Sequence, residues 1–223
     1  MQKNSESLAW MEKRHSVRCY DGKPLSEQNQ QILKKWIDQV NHESSQHFQL
    51  AVNEPKAFSG LMARLGGYGR FNGVVNYIGL IGDNEERLGY YGEQLVEKCT
   101  ELGLKTCWVG LNYNKIKGVF TIPAGSKLMG VIAVGTSDQN GVPHKMRTVI
   151  ELSPDADQAP EWFREGVKGA ILAPSAVNQQ KYRFYWNNGK PEATKGMGFY
   201  TDMDLGIAKY HFNQAAGRPV FSV

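Results

Sequence analysis

Two apolar runs, "VVNYIGLIG" at 74–82 and "LMGVIAVG" at 128–135, set the tightest limit on what this chain can fold into. A membrane-spanning helix needs about 20 apolar residues, so both are far too short to cross a bilayer, and both read as buried strands. Segments of helical period lie around them. Ser26 is placed to cap a helix whose Ile32, Leu33, Trp36, Ile37 and Val40 make one apolar stripe. A second helix, from about 85 to 102, repeats Leu88, Tyr91, Leu95, Cys99 and Leu102 and stops at Gly103. Pro160 suits the first turn of a third helix, with Trp162, Phe163, Val167 and 170–172 on its inner side. A fourth starts at Asp202 or Asp204, carries Leu205, Ala208, Phe212 and Ala215, and closes at Gly217.

Residues 1–13 read as a short leading helix with Leu8, Trp10 and Met11 on its apolar side. "HFQLAV" (47–52), "LKTCWVGLNY" (104–113) and "KYRFYW" (181–186) are extended, the Gly-rich segment 59–73 is a loop, and the tail "VFSV" is an edge-strand candidate. Strands separated by helices around one core give an α+β class. No linker marks a domain boundary, so 1–223 is expected to be one domain. One order of elements occurs twice, at 26–103 and at 160–217: amphipathic helix, small polar exit, strand, loop, strand, long helix ending in glycine.

Composition excludes more than it selects. The net charge of +4 comes without any Lys/Arg run, which fits a solvated surface or an anionic small ligand and not a nucleic-acid partner. Cys19, Cys99 and Cys107 form no CxxC pair, and no signal peptide opens the sequence, so a reducing cytoplasm is expected. The five histidines show no HExxH or paired-cysteine spacing, and no metal site is expected.

Four short stretches carry candidate chemistry. In "RHSVR" (14–18), Arg14, Ser16 and Arg18 alternate, so extended backbone turns two guanidiniums and a hydroxyl to one side, a donor set for phosphate. Lys145 and Arg147 in "HKMR" form a second alternating basic pair. "ELGLKTCWVG" (101–110) leaves a helix in extended form and exposes backbone N–H groups around 108–111. "AILAPSAVNQQKYRF" (170–184) ends a helix in small and amide residues, as backbone shaped for close approach would. Taken singly, each is more often a solvated face or an ordinary helix exit.

Together the four resemble the FMN-dependent nitroreductase family over nearly the whole chain. "RxSxR" is similar to that family's opening motif, "GLKTCWVG" to its segment of backbone under the flavin, "HKMR" to its late Lys-x-Arg, and "APSAVNQQKYRF" to its "PSSxNxQPWxF" loop. The order departs from the family's, in which the PSSxN loop follows soon after RxSxR. Here "NHESSQHFQL" (41–50) holds that place and the loop comes in the second half. The chain therefore resembles a divergent branch, including its "TDMDLGIAKYHF" helix, in which the family's dimer is fused into one molecule with one surviving flavin site. Its pseudo-repeats fall at about 14–150 and 155–223.

That resemblance implies a nitroreductase-like α+β fold with a mixed or antiparallel sheet flanked by helices. It implies an FMN-dependent oxidoreductase that uses NAD(P)H to reduce nitro-compound or quinone-like acceptors, in ping-pong order, by hydride transfer through flavin N5. Arg14, His15 and Ser16 would meet the ribityl phosphate, with Lys145 and Arg147 completing its anion site. Arg18 would tune the N1–C2=O edge. Pro174, Ser175, Ala176 and Asn178 would lie along the ring, covered by backbone at Trp108, Val109, Gly110 and Leu111. No catalytic side chain is implied, since the flavin carries the chemistry. A monomer is expected, with a homodimer as the alternative, and no membrane partner. The rival function is a flavin-binding storage or sensing protein without NAD(P)H turnover.

Overall fold

The computed structural model describes residues 9–59 and 70–223. Leu8 and most of the Gly-rich segment 59–73 lie outside the described residues. Two compact units can be told apart. The first, here the sheet unit, holds the described residues of 14–84 together with 94–143. The second, the helical unit, holds those of 1–13 together with 85–93 and 144–223.

The sheet unit is built on four antiparallel strands in the order β1-β2-β4-β3: β1 (Gln49–Ala51), β2 (Tyr77–Gly82), β3 (Lys105–Val109) and β4 (Lys127–Gly135). The two apolar runs are its central pair, and every residue of β2 is buried. An alternating strand would leave one face wet, so this continuous burial marks a strand covered on both faces. Helix α1 (Glu27–Ser44) is capped by Ser26 Oγ, which accepts from Asn29 N, and buries Leu33, Ile37 and Val40. Ile32 and Trp36 of the expected stripe are half-buried. An aromatic cluster of Phe58, Phe71, Tyr77 and Tyr113, with Phe120 at its edge, packs together with Val109, Val131 and Ala133. Helix α2 (Glu85–Glu101) belongs to the helical unit up to Glu93 and to the sheet unit from Gln94. Gly103, at φ +73°, closes it, and Leu104 N donates to Cys99 O.

The helical unit contains α3 (Val149–Leu152), α4 (Glu161–Ile171), a hairpin of β5 (Tyr182–Asn187) and β6 (Lys190–Lys195), and α5 (Thr201–Ala216). Helix α5 is buried along nearly its whole length, including Gly206. Close approach explains this. A Cβ on Gly166 would meet the Phe212 ring at 2.5–2.7 Å, and one on Gly206 would meet Tyr90 N at 2.8 Å. Small residues thus let α4 and the first half of α2 approach α5 at backbone distance. Glu93 and His211 are fully buried and bonded at 2.9 Å (Nε2 to Oε1), beside Trp10.

Three expectations change here. Pro160 sits at the N-cap of α4, one place before its first turn. Asp202 and Asp204 lie inside the first turn of α5, which follows Tyr200 in left-handed backbone. The tail is not a strand: Asn213 Oδ1 accepts from Val220 N and Phe221 N at 3.0 and 2.9 Å, and Phe221 packs on Phe184 and Phe212. Side-chain hydrogen bonds therefore take the place of a ladder. After Arg147 the chain turns at Thr148 into α3 through a Thr148–Glu151 capping box.

Candidate functional site

The four motifs come together in two pairs, one in each unit. In the sheet unit, "RHSVR" runs parallel to the start of β3, with Ser16 opposite Thr106 and Val17 N donating to Thr106 O at 3.0 Å. That bond fixes a parity. Alternate residues of a strand send their polar backbone groups to opposite sides, so Thr106 and Trp108 turn theirs away from β4, while Cys107 and Val109 turn theirs toward it. Val17 is buried at 2% exposure, which leaves Arg14, Ser16 and Arg18 on the other side. Burial pushes the Cys107 thiol's pKa up, while Arg18, a Ser16 side-chain hydrogen bond and Arg14 pull it down. Arg14 is buried, and Ser16 and Arg18 are half-buried.

His15 faces the other way, toward Gly141, where a Cβ would stand 2.9 Å from His15 Cβ. Burial, then Arg14 and Lys105, lower the His15 pKa and so favour its uncharged form. Lys105 is in turn held by Asn140 Oδ1 at 2.7 Å. Trp108 is half-buried, Val109 buried, Gly110 half-buried and Leu111 exposed.

In the helical unit, the "HKMR" backbone is knitted to the "PSAVNQQ" loop. Asn178 Nδ2 and Gln180 Nε2 both donate to Lys145 O, at 2.9 and 2.8 Å, and Arg147 N donates to Gln180 Oε1 at 3.1 Å. Gln180 also donates to Asn178 Oδ1 at 2.9 Å. The Asn178 side chain is therefore engaged with the loop's own frame. Lys145 is exposed, while Arg147 pairs with Glu151 at 3.3 Å, four residues on. Pro174 is buried, and Ser175 and Ala176 are half-buried.

The loop is held in unusual backbone. Val177, Asn178 and Gln180 have φ of 45°, 55° and 44°. Asn tolerates this region, whereas a β-branched residue there is a true outlier. One buried group grips both ends of the strained pair: Asp204 Oδ1 accepts from Ala176 N at 2.9 Å, and Oδ2 from Gln179 Nε2 at 2.8 Å. Burial pushes the Asp204 carboxyl up to about 6, against the opposing pull of those two hydrogen bonds. Asp204 and Gln180, each 3% exposed, were missed as site residues. The signals were present in the paired amides after Asn178 and in the second aspartate of "TDMDLG".

Among the described residues, no group of three His, Cys, Asp or Glu side chains is placed to hold a metal ion. None of the described cysteines is in a disulfide, and no described helix is long and apolar enough to cross a membrane.

Comparison with solved structures defines the class first. A putative nitroreductase from Thermotoga maritima MSB8 aligns over 94% of this chain and 82% of its own, with a TM-score of 0.64 at 20% identity. A nitroreductase-like protein from Streptococcus mutans aligns over 66% of this chain and 96% of its own, with a TM-score of 0.51 at 14% identity. The fold is that of the nitroreductases, an α+β architecture of antiparallel sheets flanked by helices. No curated protein matches. The family is the finer statement: residues 7–216 match the family model described as "Putative TM nitroreductase", and the chain belongs to that family.

Proposed function

We propose that this chain is an FMN-dependent oxidoreductase that takes hydride from NAD(P)H and delivers it to small oxidised acceptors of nitro or quinone type. The carrying observation is the pairing of the four motifs: "RHSVR" bridged to β3 at Thr106, and "HKMR" knitted to the 174–180 loop through Lys145 O. Membership of a nitroreductase family supports the reading.

The donor chemistry suits the cofactor. Arg14, Ser16 and Arg18 present two guanidiniums and a hydroxyl on one side, while the His15 side chain faces the other. In this reading Arg14 and Ser16, with Lys145 and Arg147, bind the ribityl phosphate, and the His15 side chain expected there takes no part. Arg18 places positive charge at the N1–C2=O edge, where electron density accumulates on reduction. Pro174, Ser175, Ala176 and Asn178 line the ring, and the 108–111 backbone covers it. When bound, the flavin supplies the hydride-accepting centre, and the protein binds and orients it.

One flavin per chain is part of the proposal. The segment 41–50, which stands where relatives carry a PSSxN loop, closes on itself. Asn41 makes reciprocal bonds with the Phe48 backbone, at 2.7 and 2.9 Å, and Gln46 makes them with Asp83, at 3.1 and 3.2 Å. Those amides are spent internally, which supports a single surviving site and a monomeric pseudo-dimer.

The purified chain is expected to be yellow, or to become so with FMN, at one flavin per chain, and to bleach anaerobically with NADH or NADPH. Arg14→Ala and Asn178→Ala should each weaken FMN binding. A protein that stays colourless with added FMN overturns the proposal. Bound flavin that neither nucleotide reduces replaces it with the storage or sensing reading.

A further inference from the structure

We infer that Asp204 is the positioning residue of the 175–180 loop, holding its backbone in the left-handed shape in which it meets the flavin. The inference rests on the flavin reading above and names a residue outside the motifs that suggested it.

Three observations converge on it. First, the two Asp204 oxygens bracket the strained pair, accepting from Ala176 just before Val177 and from Gln179 just after Asn178. Second, the strain is concentrated. Val177, Asn178 and Gln180 fall within four residues, whereas the other described non-glycine residues of positive φ are Ser45, Asn53, Asn188 and Tyr200, each isolated in the sequence. Strained backbone persists where surrounding structure over-determines it, and it gathers at functional loops. Third, the anchor is itself costly. Among the described residues no Arg or Lys is bonded to the buried Asp204, and a buried carboxylate is normally replaced by a cheaper group unless its acceptors are needed.

The grip extends further. Gln179 Nε2 also donates to Phe199 O at 2.8 Å, which ties the loop to the residues leading into α5. Asn178 N and Gln180 N close on Ser175 O and Oγ, both at 3.0 Å. A carboxylate accepts twice at this position, whereas an amide of the same shape accepts at one atom and donates at the other. Asp204→Asn therefore keeps the volume and removes one hold.

The test uses the full chain as wild type, Asp204→Asn, Gln179→Ala and the double variant. FMN affinity is read by quenching of flavin fluorescence at pH 8, and exchange of the Ala176 amide is read without flavin. Asp204→Asn should weaken FMN by about tenfold or more, as loss of one charge-assisted hydrogen bond implies. Gln179→Ala should cost less, and the double variant no more than Asp204→Asn alone. The Ala176 amide should exchange faster in Asp204→Asn while the thermal midpoint at pH 8 does not fall, a combination that general destabilisation cannot give. Wild-type-like FMN affinity in Asp204→Asn, or fully additive losses, overturns the inference and leaves the flavin reading intact. A wild type that takes up no FMN overturns the flavin reading and the inference with it.

Discussion

Replacing Gly206 with alanine sets two effects of opposite sign against each other. Gly206 lies inside α5, and helix propensity alone makes Gly→Ala stabilising by about 1 kcal/mol. Packing opposes this. The added Cβ would stand 2.8 Å from Tyr90 N and 2.9 Å from Glu86 C, with Glu86 O nearer still. Ordinary contact begins near 3.4 Å and Glu86 O is the nearest atom, so the first half of α2 and α5 must separate by about an ångström or more. The obstructing atoms are backbone, so no rotamer change relieves them. Overpacking costs about 1–3 kcal/mol, and more where nothing can yield. Taking the upper part of that range, a net loss of about 2 kcal/mol is expected, which for a chain of this length lowers Tm by roughly 4–8 °C. Gly89 faces the same interface, where a Cβ would strike Met203 O. Once one substitution has opened the gap, the second meets less resistance, so the Gly89→Ala/Gly206→Ala pair should cost less than the sum of the singles. Denaturant unfolding with a fixed m-value measures all four proteins. A Tm that rises in Gly206→Ala would refute the reasoning, because propensity would then outweigh the contact.

Three further outcomes are expected. Val177→Asn should raise stability by about 0.5–1 kcal/mol, because Asn accepts φ +45° and Val177 is 45% exposed, whereas Val177→Ala keeps the strain and should not; equal midpoints for the two would refute the strain. The raised pKa of Asp204 means the native state holds this proton more tightly than the unfolded chain. Its contribution is therefore fully present below about pH 4 and lost as pH rises through about 6, so wild-type stability relative to Asp204→Asn should fall by about 3 kcal/mol over that window, and a constant difference in unfolding free energy from pH 4 to 7 would refute it. His211→Ala leaves the buried Glu93 carboxylate without its histidine and should cost about 3 kcal/mol or more in equilibrium unfolding; a loss under 1 kcal/mol would show the pair to be replaceable.

Much of the fold is legible in the residues because local and long-range demands agree there. The central strands are continuous apolar runs, and α1, α2 and α5 end where their caps and glycines say they should. The misses have physical causes. The second strand of the 160–217 order has no bounds in the sequence, because β6 reads "KPEATK", with no apolar face and so no period to mark it. The turn before it does: Asn188-Gly189, at φ 49° and 80°, is the two-residue pair that hairpins favour. Helix α5 reads as a stripe but is buried all round, because Gly206 admits a neighbouring backbone where a side chain would expose a face. The pairing of Ser16 with Thr106 joins residues 90 positions apart, and no local pattern encodes such a partner. Asp204 looks like a helix start in sequence, since an aspartate that accepts from a distant loop is identical in type to one that caps.

The pairing of "RHSVR" with β3 also restricts how this segment can change over evolutionary time. With Val17 N bonded to Thr106 O, a single-residue insertion or deletion within 14–18 would exchange the two alternating sets, sending arginine into the apolar site of Val17 and Val17 out among the guanidiniums. Substitutions one at a time can be absorbed, a lysine for an arginine or a threonine for the serine. Changes of length cannot. Among sequences descended from a common ancestor with this chain, the spacing from Arg14 to Arg18 should therefore outlast the identity of the residues that occupy it.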